Sequence, residues 1–121
     1  MNACRVVMAE DGRTVLGRAR VALRLWAKAR GLMFRKALPA GEGLLIPGCR
    51  SIHTCFMRFR IDVIYLATGD RVAKIVEAMK PYRISYCLRA RSVLEMPAGW
   101  VRQTKLKVGD SLVLGPIEAG D

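Results

Sequence analysis

Short apolar runs, broken at close intervals by turn-forming residues, limit this chain more than any other feature. Asp11-Gly12, Pro39-Ala40-Gly41, Pro47-Gly48, Thr68-Gly69-Asp70, Pro97-Ala98-Gly99 and Gly109-Asp110 punctuate it. Gly, Pro and Asp at such points set turns, and short runs rich in Val, Ile and Leu between them read as strands. Strands are expected over Arg5 to Ala9, Thr14 to Leu16, Leu44 to Ile46, Ser51 to Met57, Ile61 to Leu66, Val72 to Met79, Ser92 to Met96 and Ser111 to Leu114. Residues 80–91 read as a long loop, and Trp100 to Leu106 as a short helix.

One segment departs from this rhythm. Ala22, Leu25, Trp26, Ala29 and Leu32 or Met33 recur at the three-and-four spacing of one helical face, with Arg24, Lys28 and Arg35 opposite. At 121 residues the chain can build one continuous core but not two. The expected fold is therefore α+β and mainly β, a single domain over residues 1–121. Its sheet would be small and barrel- or sandwich-like, with one main amphipathic helix near residues 22–35 packed on it.

No apolar run approaches the roughly 18 to 20 residues that cross a bilayer. Met1 to Met8 lacks the pattern of a secretory signal. Cys4, Cys49, Cys55 and Cys87 are irregularly spaced in a chain with core enough to fold, so reduced thiols and a cytoplasmic location are expected. Cys4 and Cys87 read as core or surface thiols and nothing more. The formal charge of +11 is lopsided: residues 1–60 carry twelve Lys or Arg against three acids, and residues 61–121 nine against seven. Such a balance suits an anionic partner, whether a small molecule, a peptide, an acidic protein surface or nucleic acid. Dispersed rather than clustered, the same charges also suit a plain Arg-rich surface.

The chemistry concentrates between Pro47 and Leu66. That stretch holds the sole histidine, His53, with Cys49, Cys55 and Asp62. In a strand, alternate residues share a face, so Ser51, His53, Cys55 and Met57 would point one way, and Asp62 would align with Ile64 and Leu66. A hairpin joining the two strands would bring Asp62 near Met57 or Cys55, within reach of His53.

Arg30-Gly31-Leu32-Met33-Phe34-Arg35, Gly43-Leu44-Leu45, Cys49-Arg50-Ser51-Ile52-His53-Thr54, Met57-Arg58-Phe59 and Ile61-Asp62-Val63 resemble the Domain of Unknown Function 192 family. Val93-Leu94-Glu95-Met96-Pro97-Ala98-Gly99 and Val108-Gly109-Asp110 resemble its later motifs. The resemblance implies a compact, mostly β domain with a helix, and it brings no established activity or catalytic residue. Arg60 stands where relatives usually have proline between Phe59 and Ile61, which loosens that link and adds charge beside the site.

Four readings of the Pro47–Leu66 region compete. A metal centre fits poorly. At about 3.3 Å per residue Cys49 and His53 lie about 13 Å apart and Cys49 and Cys55 about 20 Å, against ligand bonds of roughly 2 Å. No cofactor is expected either. A thiol enzyme, hydrolase or transferase, would use Cys49 or Cys55 as nucleophile, His53 as base and Asp62 to orient it. A binding pocket would fix a polar group with Ser51, His53 and Asp62 against a wall of Met33, Phe34, Met57 and Phe59, with Arg35 on a carboxylate or phosphate. A purely structural reading buries Asp62 to satisfy loose backbone amides. The binding reading leads among the functional ones: a non-enzymatic binding or accessory module for a small anion, a peptide or a partner protein. The thiol enzyme is the alternative, and a nucleic-acid binder driven by the charge of the basic half the third. Trp100 beside Arg102, Lys105 and Lys107 could stack on a base, but a Trp anchoring a short helix to the core is the favoured reading. Glu95 is either a partner for Arg35 or another buried arginine, or a solvent-facing strand residue.

Overall fold

The computed structural model describes residues 3–22 and 38–117. Nine strands carry the fold: β1 (Ala3–Met8), β2 (Thr14–Val21), β3 (Glu42–Pro47), β4 (Ser51–His53), β5 (Ile61–Ala67), β6 (Arg71–Met79), β7 (Ile84–Tyr86), β8 (Ser92–Pro97) and β9 (Leu112–Gly115). Among the described residues there is one short α-helix, α1 (Trp100–Thr104), and one 3₁₀ turn at Thr68–Asp70. The amphipathic helix expected near residues 22–35 lies outside the described residues.

Seven strands form one sheet in the order β6-β5-β8-β3-β2-β1-β9, and β4 pairs with β7 in a separate ribbon. Every neighbouring pair is antiparallel except β2 and β3. The sheet curls into a half-barrel. Its two outermost strands meet at one end, where Arg71 bridges Ser111 and the Val72 amide donates to the Asp110 carbonyl at 2.8 Å.

Both faces of the central strands are buried, which explains why Ile61 to Leu66 and Val93 to Met96 are apolar almost without alternation. The concave face gathers Val6, Met8, Leu16, Ile64, Leu66, Leu94 and Met96, closed by Val101 and Leu106 from the helix region. On the convex face Leu44, Ile46, Ile61, Val63, Tyr65 and Val93 meet Ile52 and Met57 from beneath the ribbon.

Two expectations are corrected by this arrangement. The run Ser51 to Met57 is a strand only to His53. Thr54 then turns inward: its hydroxyl donates to the Lys80 carbonyl at 2.6 Å and accepts the Arg83 amide at 2.8 Å, and Phe56 follows with φ 66°. The hairpin between the strands at 51–57 and 61–66 does not form. β4 pairs instead with β7, inside the segment read as a loop, while β5 lies between β6 and β8.

Gly43 marks the tightest approach within the sheet. A Cβ there would stand 2.5 Å from the Glu95 carbonyl oxygen of β8 and 2.7 Å from Leu16 Cδ1. The carbonyl belongs to a paired strand and has little room to give. Gly43→Ala is therefore expected to cost about 1–3 kcal/mol, read from urea unfolding; an unchanged midpoint would show that β3 and β8 can part freely.

Candidate functional site

Asp62 is fully buried on the concave side of β5, aligned with Ile64 and Leu66. Its two oxygens are both taken. Oδ1 accepts the Ala78 amide at 2.8 Å, and Oδ2 accepts the Val101 amide at 2.9 Å. The first amide is freed by a bulge in β6, where pairing slips between Ile61 and Val63 and Ala78 adopts φ 48°. The second lies at the start of α1, whose own N-cap, Gly99, has no side chain to offer. A carboxylate from another strand thus caps the helix. Asp62→Ala leaves both amides buried without acceptors and is expected to destabilise by about 2–5 kcal/mol, measured by denaturant unfolding; a loss below about 0.5 kcal/mol would mean the two amides find water.

The other residues singled out from the Pro47–Leu66 stretch lie elsewhere. His53 is exposed on β4, and its Nδ1 accepts the Cys55 backbone amide at 3.2 Å. The Cys49 thiol donates to the Ser51 carbonyl at 2.8 Å, while the Ser51 side chain faces outward. Met57 is buried against the convex face, and Phe59 packs beside it. Asp62 and His53 therefore stand on opposite sides of the sheet, and no thiol–imidazole–carboxylate relay is assembled. Arg35, Met33 and Phe34 lie outside the described residues. Among the described residues, no three of His, Cys, Asp and Glu converge as metal ligands. Trp100 donates Nε1 to the Val15 carbonyl at 2.6 Å, which ties its ring to β2.

What sequence reasoning missed is the polar layer between the sheet and the ribbon. Glu95 sits on the convex face of β8, 5 % exposed, between its sheet partners Leu44 and Val63. Tyr65, 0 % exposed, shares that face from β5. Ser85 points down from β7, its neighbours Ile84 and Tyr86 pointing out. Tyr65 Oη, Ser85 Oγ and Glu95 Oε2 are all buried, and none meets a hydrogen-bond partner among the described residues. Cys49 and Cys87 flank the group, both packed against the convex core.

Burial dominates the acidities here. It pushes the Tyr65 phenol above its usual range; the Ser85 hydroxyl, beside the phenol though outside good hydrogen-bond geometry, pulls the other way, and Cys49, Cys87 and Glu95 add to the rise. Burial alone pushes Glu95 up to about 7. The folded chain thus holds a proton that the unfolded chain, at 4.5, releases earlier. Stability from the neutral carboxyl is complete below the unfolded value and is lost as pH rises through about 7. The wild type is expected to lose up to about 3 kcal/mol between about pH 5 and 8, and Glu95→Gln to lose that part of the slope. Equal slopes in urea titrations of the two would refute the assignment.

These features can be set beside known proteins. The sequence profile of DUF192, described as an uncharacterized ACR, matches residues 6–114. The chain belongs to the DUF192 family. A UPF0127 protein of Pyrococcus horikoshii is 37 % identical over 100 residues, covering 79 % of this chain and 86 % of its own length. One from Pyrococcus furiosus is 36 % identical over 86 residues, covering 68 % and 73 %. Among solved structures, a Sinorhizobium meliloti protein described as a "putative transcription regulator" superposes with a TM-score of 0.80 at 24 % identity, over 93 % of this chain and 92 % of that one. A Novosphingobium aromaticivorans protein of unknown function gives 0.79 at 23 %, over 92 % and 83 %. At these identities the structures establish the DUF192 fold as a recurring half-barrel, and the family itself is uncharacterised.

Proposed function

We propose that this domain is a non-enzymatic binding module, and that its outer ribbon docks an acidic, apolar-anchored segment of a partner protein. One observation carries the reading. Phe56, Tyr82, Ile84, Tyr86 and Leu88 are 51, 60, 78, 61 and 74 % exposed, and all five belong to the ribbon and its flanks. Ile84 and Tyr86 share the outward face of β7, with Tyr82 at the bend before the strand and Leu88 at the turn after it. Phe56 meets Tyr82 edge to face at 5.9 Å between ring centres. Isolated exposed apolar residues are ordinary, but a contiguous group of this size marks an interaction surface.

Charge says what kind of partner fits. Residues 43–61 and 78–94, which build the ribbon and its surroundings, contain no Asp or Glu. They contain Arg50, Arg58, Arg60, Lys80, Arg83, Arg89 and Arg91, all exposed. A second copy of the chain would bring the same cations against one another, whereas an acidic segment meets an apolar centre with a complementary rim. Among the described residues the three-residue strand β7 pairs only with β4, and its Tyr86 carbonyl accepts Lys74 Nζ at 2.8 Å.

A fluorescein-labelled peptide alternating Glu with Phe and Ile tests this by anisotropy. Micromolar binding that weakens with salt is expected, with Ile84→Ser and Tyr86→Ser each costing about tenfold, or roughly 1.4 kcal/mol. Both positions are exposed, so folding should survive. Equal binding of the Lys-for-Glu peptide, indifference to both substitutions, or self-association of the chain through this face would each overturn the proposal.

A further inference from the structure

We infer that Tyr65, Ser85 and Glu95 form a binding site for a primary ammonium group in the layer between the sheet and the ribbon. The site is distinct from the ribbon's outer face and does not depend on what docks there. Register fixes its floor. Tyr65 pairs with Val93 and Glu95 with Val63, so the two side chains are diagonal neighbours on one face, with about 7–8 Å between equivalent positions. Ser85, paired with Ile52, supplies the roof from the ribbon's inner side.

Three buried oxygens of this layer lack partners among the described residues: Tyr65 Oη, Ser85 Oγ and Glu95 Oε2. An ammonium has three N–H donors and no acceptor, so one such group would satisfy all three. It would also supply the positive charge that Glu95 lacks: the ion pairs among the described residues are Arg13 with Asp11 and Arg102 with Glu77. A carboxylate ligand would set like charge against Glu95. A quaternary ammonium has the charge but no N–H to give. The fold already tolerates an ammonium at the margin. Lys74 Nζ lies 5.8 Å from the Tyr65 ring centre and 5.5 Å from that of Tyr86, with a bond of 2.8 Å to the Tyr86 carbonyl. One of its three N–H groups goes to that carbonyl, and neither of the others meets the three oxygens beneath.

Access requires the ribbon to lift, drawing Ile52 and Met57 out of the convex core as it does. β4 and β7 have three residues each, and Phe56 and Tyr82 at their ends hold left-handed φ values of 66° and 60°. The net positive charge opposes an approaching cation, but at physiological salt that field is screened beyond about 8 Å, and the unpaired carboxylate governs the final contact.

The test uses the full chain at about pH 8, where an acid of pKa about 7 is largely ionised. The probes are n-butylammonium, Nα-acetyl-lysine methylamide, n-butyltrimethylammonium and acetate. Binding is followed by thermal shift and by NMR of the Tyr65, Ser85 and Glu95 signals. n-Butylammonium should raise Tm and move those signals, and Glu95→Gln and Ser85→Ala should each weaken it, the former by at least about tenfold. Binding of the lysine derivative as well would extend the site to a polypeptide side chain; binding of the free amine alone would assign it to small molecules. Ile84→Ser, which would sever acidic-peptide docking, should leave amine binding unchanged. Equal binding of the trimethylammonium compound, preference for acetate, no response to n-butylammonium, or full binding by a folded Glu95→Gln would overturn the inference.

Discussion

The fold turns on Asp62. One carboxylate, buried in the middle strand of the sheet's second half, accepts the amide that a bulge in β6 leaves over and the amide that α1 exposes at its start. Strand, bulge and helix are thereby fixed to a common point. Without it the helix has no cap, since Gly99 supplies none, and Val101 and Leu106 lose the angle at which they close the concave core. Asp62, which the thiol-enzyme reading would use to orient His53, is thus committed to backbone, which is what satisfied buried carboxylates commonly do.

The convex side has a different logic. There the sheet meets a ribbon too small to stand alone, and the two surfaces of that ribbon carry different chemistry. Inward it contributes Ser85 and Cys87 to a polar layer with Tyr65 and Glu95; outward it presents Ile84, Tyr86 and Leu88 among arginines. Period-two alternation produces both from a handful of consecutive residues. A chain that needed only stability would bury aliphatic groups inside and show charge outside. Here polar groups join the aliphatic ones inside and apolar side chains stand among the cations outside, and the cost falls where Tyr65, Ser85 and Glu95 lack partners among the described residues.

Much of the sheet was legible because its strands are apolar and sharply punctuated. Asp11-Gly12 turns β1 into β2, and Ile61 to Leu66, Val72 to Met79 and Ser92 to Met96 sit where their residues say. The alignment of Asp62 with Ile64 and Leu66 followed from alternation alone. Its partners did not, because they lie 16 and 39 residues away and depend on a bulge and on a helix that would otherwise be uncapped. β7 was hidden by its length: three residues of mixed character between arginines give no period to read. Thr54 was passed over because an isolated threonine carries no sign that its hydroxyl and backbone bind the 80–83 segment. Glu95 between Leu94 and Met96 read equally as a partner for a buried arginine or as a solvent-facing residue. The ribbon, itself unseen, helps to bury that face.

The order of strands in the sheet has a consequence in time. β8 lies between β3 and β5, yet it is made last of the three, some 50 residues after β3 begins. Until Pro97 has been synthesised the sheet is two fragments, β1-β2-β3 on one side and β5-β6 on the other, each with an unpaired apolar edge. Chains whose pairings wait on distant residues fold slowly and expose such edges meanwhile. On the ribosome the sheet stays in two halves until β8 has emerged, so its passage through that stage depends on whatever shields β3 and β5 from pairing with a stranger.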